Sequence, residues 1–189
     1  HDELRRQRQM CIRDSIDSFF HNSYMPHSNR NVILKPFSAL NNIELYKIMQ
    51  LRIEVFVKEQ DCAFQDLDNL DLISNHYWLE ENDEIISYLR VVPPASASSE
   101  RHQFKEPSIG RIVTKINHRK SGLADFLINQ AIIDIKSSYG LPIRIGAQCY
   151  LESYYQKFGF TRASDDYLED DILHPVSYTH LRAHETFTD

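Results

Sequence analysis

The sequence predicts a single α/β domain built on a mixed β-sheet flanked by helices, and three observations carry that prediction. An alternating apolar run (109–116), a long helical run (123–138) and a buried apolar run (143–148) follow one another through short loops, which makes a β-α-β unit. Strand-like segments lie on both sides of that unit, so its parallel pair belongs to a larger sheet with antiparallel members. The chain of 189 residues is long enough to bury one substantial core and short for two.

The elements follow in order. Residues 31–37 alternate and read as a first strand. Asn42 can cap a helix that runs to about Lys58, with Leu45, Ile48, Met49, Arg52, Val55 and Phe56 on one face. Residues 59–73 form a loop dense in acid. Residues 75–80 and 84–92 form a hairpin closed through Glu81, Asn82 and Asp83. Pro93 and Pro94 open a polar loop that lasts to about Pro107. Strand 109–116 and helix 123–138 come next, and Gly140 and Pro142 end the helix. After strand 143–148, a short helix (151–158) stops at Gly159. Phe160 onward and then 172–174 supply the last two strands. There is no internal repeat.

Charge and cysteine content exclude several functions. The net charge is −6, and no Lys/Arg stripe is present, which argues against nucleic acid as a partner. No apolar run reaches membrane-spanning length. Of the three cysteines, Cys11 lies in the N-terminal flank set aside below; Cys62 and Cys149, as two unpaired thiols, suit a reducing cytoplasm. Neither has a His or Cys at metal spacing, so no metal site is expected.

The segment with the most chemistry is Arg119-Lys120-Ser121-Gly122-Leu123-Ala124, between strand and helix. Loop amides and the positive end of the helix dipole suit an anion, and glycine lets a phosphate approach the backbone. A plain strand-to-helix turn would also place a glycine there, and on the six residues alone it is the simpler account.

A second motif follows about thirty residues on: Leu151, Tyr155, Gly159 and Phe160 in the pattern L-x-x-x-Y-x-x-x-G-F. Together with R-x-x-G-x-A it resembles the acyl-CoA core of the GNAT N-acetyltransferase superfamily. The run from Leu51 to Gln60, the acids through Asp68, Ile109-Gly110-Arg111, Ala147-Gln148 and the stretch from Glu169-Asp170 to His174 are similar to its ElaA-like branch. The resemblance spans about residues 32–174. The Gly and Pro usual after Glu-Asp are replaced by Asp171 and Leu173.

The resemblance implies a GNAT fold with a V-shaped splay between the two central parallel strands. It implies acetyl-CoA as co-substrate and transfer of its acetyl group to a primary amine by direct attack in a ternary complex. Amides around Lys120, Ser121, Gly122, Leu123 and Ala124 would hold the pyrophosphate, with Arg119 and Lys120 adding charge at the mouth. Asp125, of the wrong sign for a phosphate, is expected to point away. Backbone groups of Ile112 and Val113 would meet the pantetheine arm and acetyl carbonyl, and a free amide at the splay would stabilise the oxyanion. By composition alone Tyr155 is more simply a core aromatic beside Tyr154, Phe158 and Phe160; its position in Y-x-x-x-G-F makes it the general acid for the departing thiolate. His76 and His174 fall at family-like positions, where a strand histidine is usually a satisfied core residue.

The acid-rich loop adds substrate candidates. Acids over a cleft attract a cationic amine, and a carboxylate there could take its proton. Glu59 is the first candidate for that base, with Arg52, Gln60, Asp66 and Asp68 as substrate residues. Solvated acids with Arg52 paired to one of them are the simpler account. Polyamine, amino acid, peptide terminus and lysine side chain all fit as acceptor. An acyl-homoserine-lactone synthase-like enzyme and a non-catalytic acyl-CoA-binding module are the alternatives, and a homodimer stays open.

The two ends read differently. Met10 to Ser15 can be written ATG TGT ATA AGA GAC AG, whose reverse complement translates as Val176 to His180. Such an inverted repeat is what a sequencing adaptor leaves. Residues 1–15 and 175–189 are therefore expected to be adaptor read-through, 16–30 a disordered or untranslated leader with Met25 as a candidate start, and 31–174 the domain. Without both flanks, 16 basic and 22 acidic residues remain and the charge stays at −6.

Overall fold

The computed structural model describes residues 31–61, 64–95, 104–140, 142–147, 151–163, 167–169, 172–174 and 176–179. Nine strands and three α-helices appear among them: β1 (Ile33–Pro36), α1 (Asn42–Arg52), β2 (Asn75–Glu81), β3 (Glu84–Val92), β4 (Ser108–Thr114), α2 (Leu123–Ser138), β5 (Ile143–Gly146), α3 (Glu152–Gln156), β6 (Phe160–Arg162), β7 (Tyr167–Glu169), β8 (Ile172–His174) and β9 (Val176–Thr179). Seven strands form one sheet in the order β1-β2-β3-β4-β5-β9-β6. Only β4 and β5 run parallel, as the β-α-β pattern requires; all other neighbours are antiparallel.

Each face of the sheet carries its own core. On one, Leu127, Ile128, Ala131 and Ile135 of α2 pack on Tyr77, Leu89, Ile109, Ile143 and Ile145, with Tyr155 of α3 and Phe160 closing the end. On the other, Ile48, Leu51 and Val55 cover Trp78, Ile85, Tyr88 and Val113. Leu127 and Ile128 are completely buried, so truncating either to Ala would cost about 2–5 kcal/mol.

Helix α1 begins one residue earlier than the sequence suggests. Asn41, not Asn42, is the N-cap: its side chain accepts from the Glu44 amide at 2.8 Å, and Glu44 accepts from the Asn41 amide at 3.0 Å. This reciprocal pair is a capping box. The expected helical run to Lys58 exists, but from Ile53–Glu59 it widens into a π-helix, which ends with the Gln60 amide on the Val55 carbonyl, five residues back. Three β-branched residues, Ile53, Val55 and Val57, crowd that stretch and weaken the tighter turn.

The hairpin between β2 and β3 closes on Asn82 and Asp83 alone, both at positive φ (51° and 63°), with Glu81 paired to Glu84. A two-residue turn of that handedness matches strand twist, and Asn and Asp tolerate it. Gly140 and Gly159, at φ 77° and 83°, stop α2 and α3 as expected.

Two features of the sheet position the site. In β4 an extra residue sits opposite β3, between the pairs Tyr88↔Val113 and Arg90↔Gly110, and Arg111 there takes φ 53°. This is a β-bulge. The β4–β5 ladder holds only Ser108↔Arg144 and Ile109↔Ile145. Beyond Ile109 the parallel strands part, which is the V-shaped splay of the GNAT fold. A Cβ built on Gly110 meets no atom within 4 Å.

The C-terminal strands correct an expectation. Residues 172–174 do not enter the main sheet; β8 pairs with β7 in a separate ladder. The place between β5 and β6 is filled by β9, antiparallel to both. Strand β8 ends at His174 and β9 starts at Val176, and Pro175 between them lies outside the described residues.

Candidate functional site

The loop between β4 and α2 reaches the surface. Lys120 takes φ 61° and Gly122 φ 76°, so the chain turns sharply twice before the helix. Glycine adopts that conformation freely, and lysine does so at a cost. Lys120, Ser121 and Gly122 are exposed, whereas Leu123 is buried and anchors the helix start. The Ser121 hydroxyl folds back onto the His118 carbonyl.

The α2 N-terminus has no side-chain cap. The first amide to donate is that of Phe126, to the Gly122 carbonyl at 3.0 Å. Among the described residues, none of the backbone amides from Lys120 to Asp125 donates a hydrogen bond. A helix start normally satisfies these donors by capping or by a ligand. Here the donors line a loop at the open end of the sheet.

Arg119 and Glu59 meet across this mouth. Arg119 Nη1 and Nη2 each donate at 2.6 Å to the two carboxylate oxygens of Glu59, and Nε donates to the Thr114 carbonyl at 3.1 Å. Glu59 is the last residue of the π-helix, and Gln60 follows it, half-buried. One arginine expected to meet phosphate and one carboxylate expected to act as base are thus each other's partners.

On β4, Val113 packs into the α1 core and Ile112 against the α2 core. Both lie past Ile109, where β5 has already separated. Tyr155 sits in the α2 core together with Ile109 and Ile145, the last β4–β5 pair. It is 7 % exposed, and its ring meets Tyr154 and Phe160 edge-on at 5.1 and 6.1 Å. Burial alone pushes its phenol pKa up, so it keeps its proton at neutral pH. Tyr154, which looked like a bystander, donates to the Asp125 carboxylate at 2.6 Å. It ties α3 to the first turn of α2 and engages the acid that stood at the wrong end for an anion.

The acid loop forms a buried ion-pair network rather than an open acidic surface. Arg52 donates from Nε to Asp66 at 2.8 Å and from Nη1 to Asp71 at 2.6 Å. Arg90 holds both Asp68 oxygens at 2.7 Å and approaches Asp71 at 3.0 Å. Arg111 donates to the Asp66 carbonyl at 3.0 Å and to Asp68 at 3.2 Å, and its Nε lies 2.7 Å from Asp66 Oδ1 without hydrogen-bond alignment. Three arginines match three aspartates, so the network carries no net charge. Its contacts to Arg111 hold the bulge residue of β4, which sits at φ 53°.

Two expectations change accordingly. Arg52 is completely buried and Asp66 is 7 % exposed, so neither presents a group to a substrate. They position the loop and β4. Asp68 and Arg111 keep about a quarter of their side chains exposed, at 28 % and 25 %, and form the outer edge of the network.

Protonation follows the geometry. Burial would raise the Asp68 carboxyl, but the Arg90 fork, with Arg111 beside it, brings it down to about 2. Asp71 is likewise lowered, because Arg52 and Arg90 outweigh its burial. His76, fully buried, has its pKa lowered by burial. Its Nε2 lies 3.1 Å from the Asp71 carbonyl, which can only accept, so Nε2 carries the proton. Nδ1 then accepts from the Tyr88 hydroxyl at 2.8 Å. His76 is therefore a satisfied core residue.

Sequence reasoning missed Arg90. Its signal was a lone charge inside the apolar run of β3. Among the described residues no group of three His, Cys, Asp or Glu is arranged to hold a metal, and no helix is long and apolar enough to cross a membrane. Cys62, Gln148, Cys149 and the flanks 1–30 and 180–189 lie outside the described residues, and so do the side chains from 164 onward, including His174.

Residues 46–177 match the acetyltransferase (GNAT) domain family. A UPF0039 protein of Schizosaccharomyces pombe is 35% identical over 150 residues, covering 78% of this chain and 95% of that protein. The crystal structure of an acyl-CoA N-acyltransferase from Pseudomonas aeruginosa superposes with a TM-score of 0.72 at 32% identity, covering 80% of this chain and 99% of that one. The Escherichia coli ElaA structure gives 0.71 at 28% identity with the same coverage.

Proposed function

The chain belongs to the GNAT acetyltransferase family, in its ElaA-like branch, and on that premise we propose that it is an acyl-CoA-dependent N-acyltransferase that uses acetyl-CoA and a primary amine. The observation that carries the proposal is the run of undonated amides from Lys120 to Asp125 at an uncapped helix start. A pyrophosphate supplies several acceptor oxygens, and the helix dipole favours its charge. Gly122 leaves the backbone accessible, and Lys120 stands exposed beside it.

Acetyl-CoA supplies the acyl thioester. In this reading the pantetheine arm runs along β4 past Ile112 and Val113, which offer backbone groups where β5 has separated. Both reactants then share one splay, and attack proceeds directly, helped by proximity. An amide at the bulge stabilises the negative charge that develops on the thioester oxygen as the amine bonds to carbon. Glu59, directly or through water, accepts the amine proton, and Tyr155 gives its phenolic proton to the departing thiolate. Asp68 and Gln60 line the acceptor side, and Arg52 and Asp66 hold that side in place.

The test is calorimetric titration of CoA, followed by thiol release from acetyl-CoA over a panel of amines. Gly122→Asp puts a side chain and a negative charge where the phosphate sits, at a left-handed position (φ 76°) that aspartate tolerates, so the helix start is kept. Loss of CoA binding by at least tenfold is expected. Unchanged affinity in that variant would place CoA elsewhere or nowhere. Tight CoA binding without turnover on any amine would favour an acyl-CoA-binding module.

A further inference from the structure

Arg119 stands in two roles at once. It opens the anion-binding loop, yet both of its terminal nitrogens are committed to Glu59 at 2.6 Å. The two residues are 60 positions apart and both largely buried, with side chains 12 % and 17 % exposed. The fork therefore places a carboxylate at the rim of a site whose ligand is a polyanion. A carboxylate and a pyrophosphate repel each other, and both match the same planar face of a guanidinium.

We propose that Glu59 and the pyrophosphate of acyl-CoA compete for Arg119, so that acyl-CoA binding breaks the fork and releases the Glu59 carboxylate toward a cationic acceptor amine. The inference rests on the acyl-CoA reading above and adds a coupling between the two ligands. Before acyl-CoA arrives, Glu59 is engaged by a guanidinium and attracts an amine weakly. Afterwards Arg119 faces phosphate and Glu59 faces the acceptor. Linkage makes the effect reciprocal: whatever acyl-CoA adds to acceptor affinity, the acceptor adds to acyl-CoA affinity. Either ligand can bind first, each strengthening the other, and the acceptor is a cation on arrival.

Titration of the full chain with CoA alone tests the exchange, in the parent, Glu59→Gln, Glu59→Asp, Arg119→Gln and the double variant Glu59→Gln/Arg119→Gln. Glu59→Gln removes the competitor and is expected to tighten CoA about fivefold or more. Glu59→Asp keeps the charge but shortens the reach to Arg119, and is expected to tighten CoA as well. Arg119→Gln weakens CoA, and in that background Glu59→Gln changes little. Thermal melts establish that each variant is folded.

Weaker or unchanged CoA binding in Glu59→Gln would overturn the proposal, because it would mean that the fork persists and Glu59 orients Arg119 for phosphate. Equal tightening in both Arg119 backgrounds would overturn it too, since Glu59 would then act only as a nearby negative charge. Absence of CoA binding by the parent would instead remove the acyl-CoA reading, a result distinct from either.

Discussion

Replacing Arg52 by Met separates the buried network from any role in binding. Methionine fills a similar length of apolar space, so little cavity arises. What is lost is the partner of Asp66 Oδ2 at 2.8 Å and of Asp71 Oδ1 at 2.6 Å, in a place with no solvent access to the guanidinium. Removing one member of a buried ion pair costs about 3–5 kcal/mol, because the remaining charge stays uncompensated. Here Arg90 still lies 3.0 Å from Asp71 and Arg111 2.7 Å from Asp66. That pulls the expectation to the lower end, about 3 kcal/mol. For a chain of this size such a loss lowers Tm by about 6–12 °C. Equilibrium urea unfolding measures it, with an unchanged m-value expected. Adding Asp71→Asn to Arg52→Met removes the surplus negative charge left by three aspartates on two arginines and is expected to restore about 1 kcal/mol or more. Stability of Arg52→Met within about 0.5 kcal/mol of the parent, or no recovery in the double variant, would show that the network does not hold the loop.

Other outcomes can be checked alongside. Tyr155→Phe keeps the ring packing on Phe160 but removes the proton donor, so turnover is expected to fall about 10²-fold or more with CoA affinity retained; equal turnover would make Tyr155 a core aromatic only. Glu59→Gln is expected to alter the shape of the pH–rate profile, and a rise in acceptor KM with the profile intact would assign Glu59 to binding alone. Stability is expected to fall in two stages on acidification. His76 has a folded pKa below its usual 6.5, so its contribution is complete above 6.5 and declines as pH falls below it. Asp68 and Asp71 are depressed from 3.8, Asp68 to about 2, so theirs is complete above about 4 and is lost toward pH 2. Urea midpoints that stay flat from pH 7 to 5 would remove the first stage.

What could be read from the sequence was local. The β-α-β unit and the loop around Gly122 were legible because periodicity and one glycine act over a few residues. Pairings between distant segments were not legible. Glu59 and Arg119 carry no mark of each other across 60 positions. Arg90 hides in an apolar strand, and its three aspartate neighbours looked like a solvated loop until the fold brought Arg52 and Arg111 to them. The two short strands on either side of Pro175 have the same local character. Which of them enters the sheet depends on the free edges of β5 and β6, which no local pattern encodes.

The seat of β9 has a consequence for how the molecule assembles. Among the described residues, strand β6 is hydrogen-bonded into the main sheet through β9, by the pairs Phe160↔Thr179, Thr161↔Tyr178 and Arg162↔Ser177. Until residues 176–179 arrive, β5 presents a bare edge and β6 has nothing to dock on, although Phe160 already has its place in the core. The hairpin β2–β3 and the adjoining β4 can form from near neighbours, whereas the far third of the sheet waits for the last described strand to slot between two earlier ones. Closure of long loops is slow, and an uncovered strand edge in the interim is open to pairing with another chain. Refolding is therefore expected to be limited by this insertion, with aggregation competing through the edge of β5.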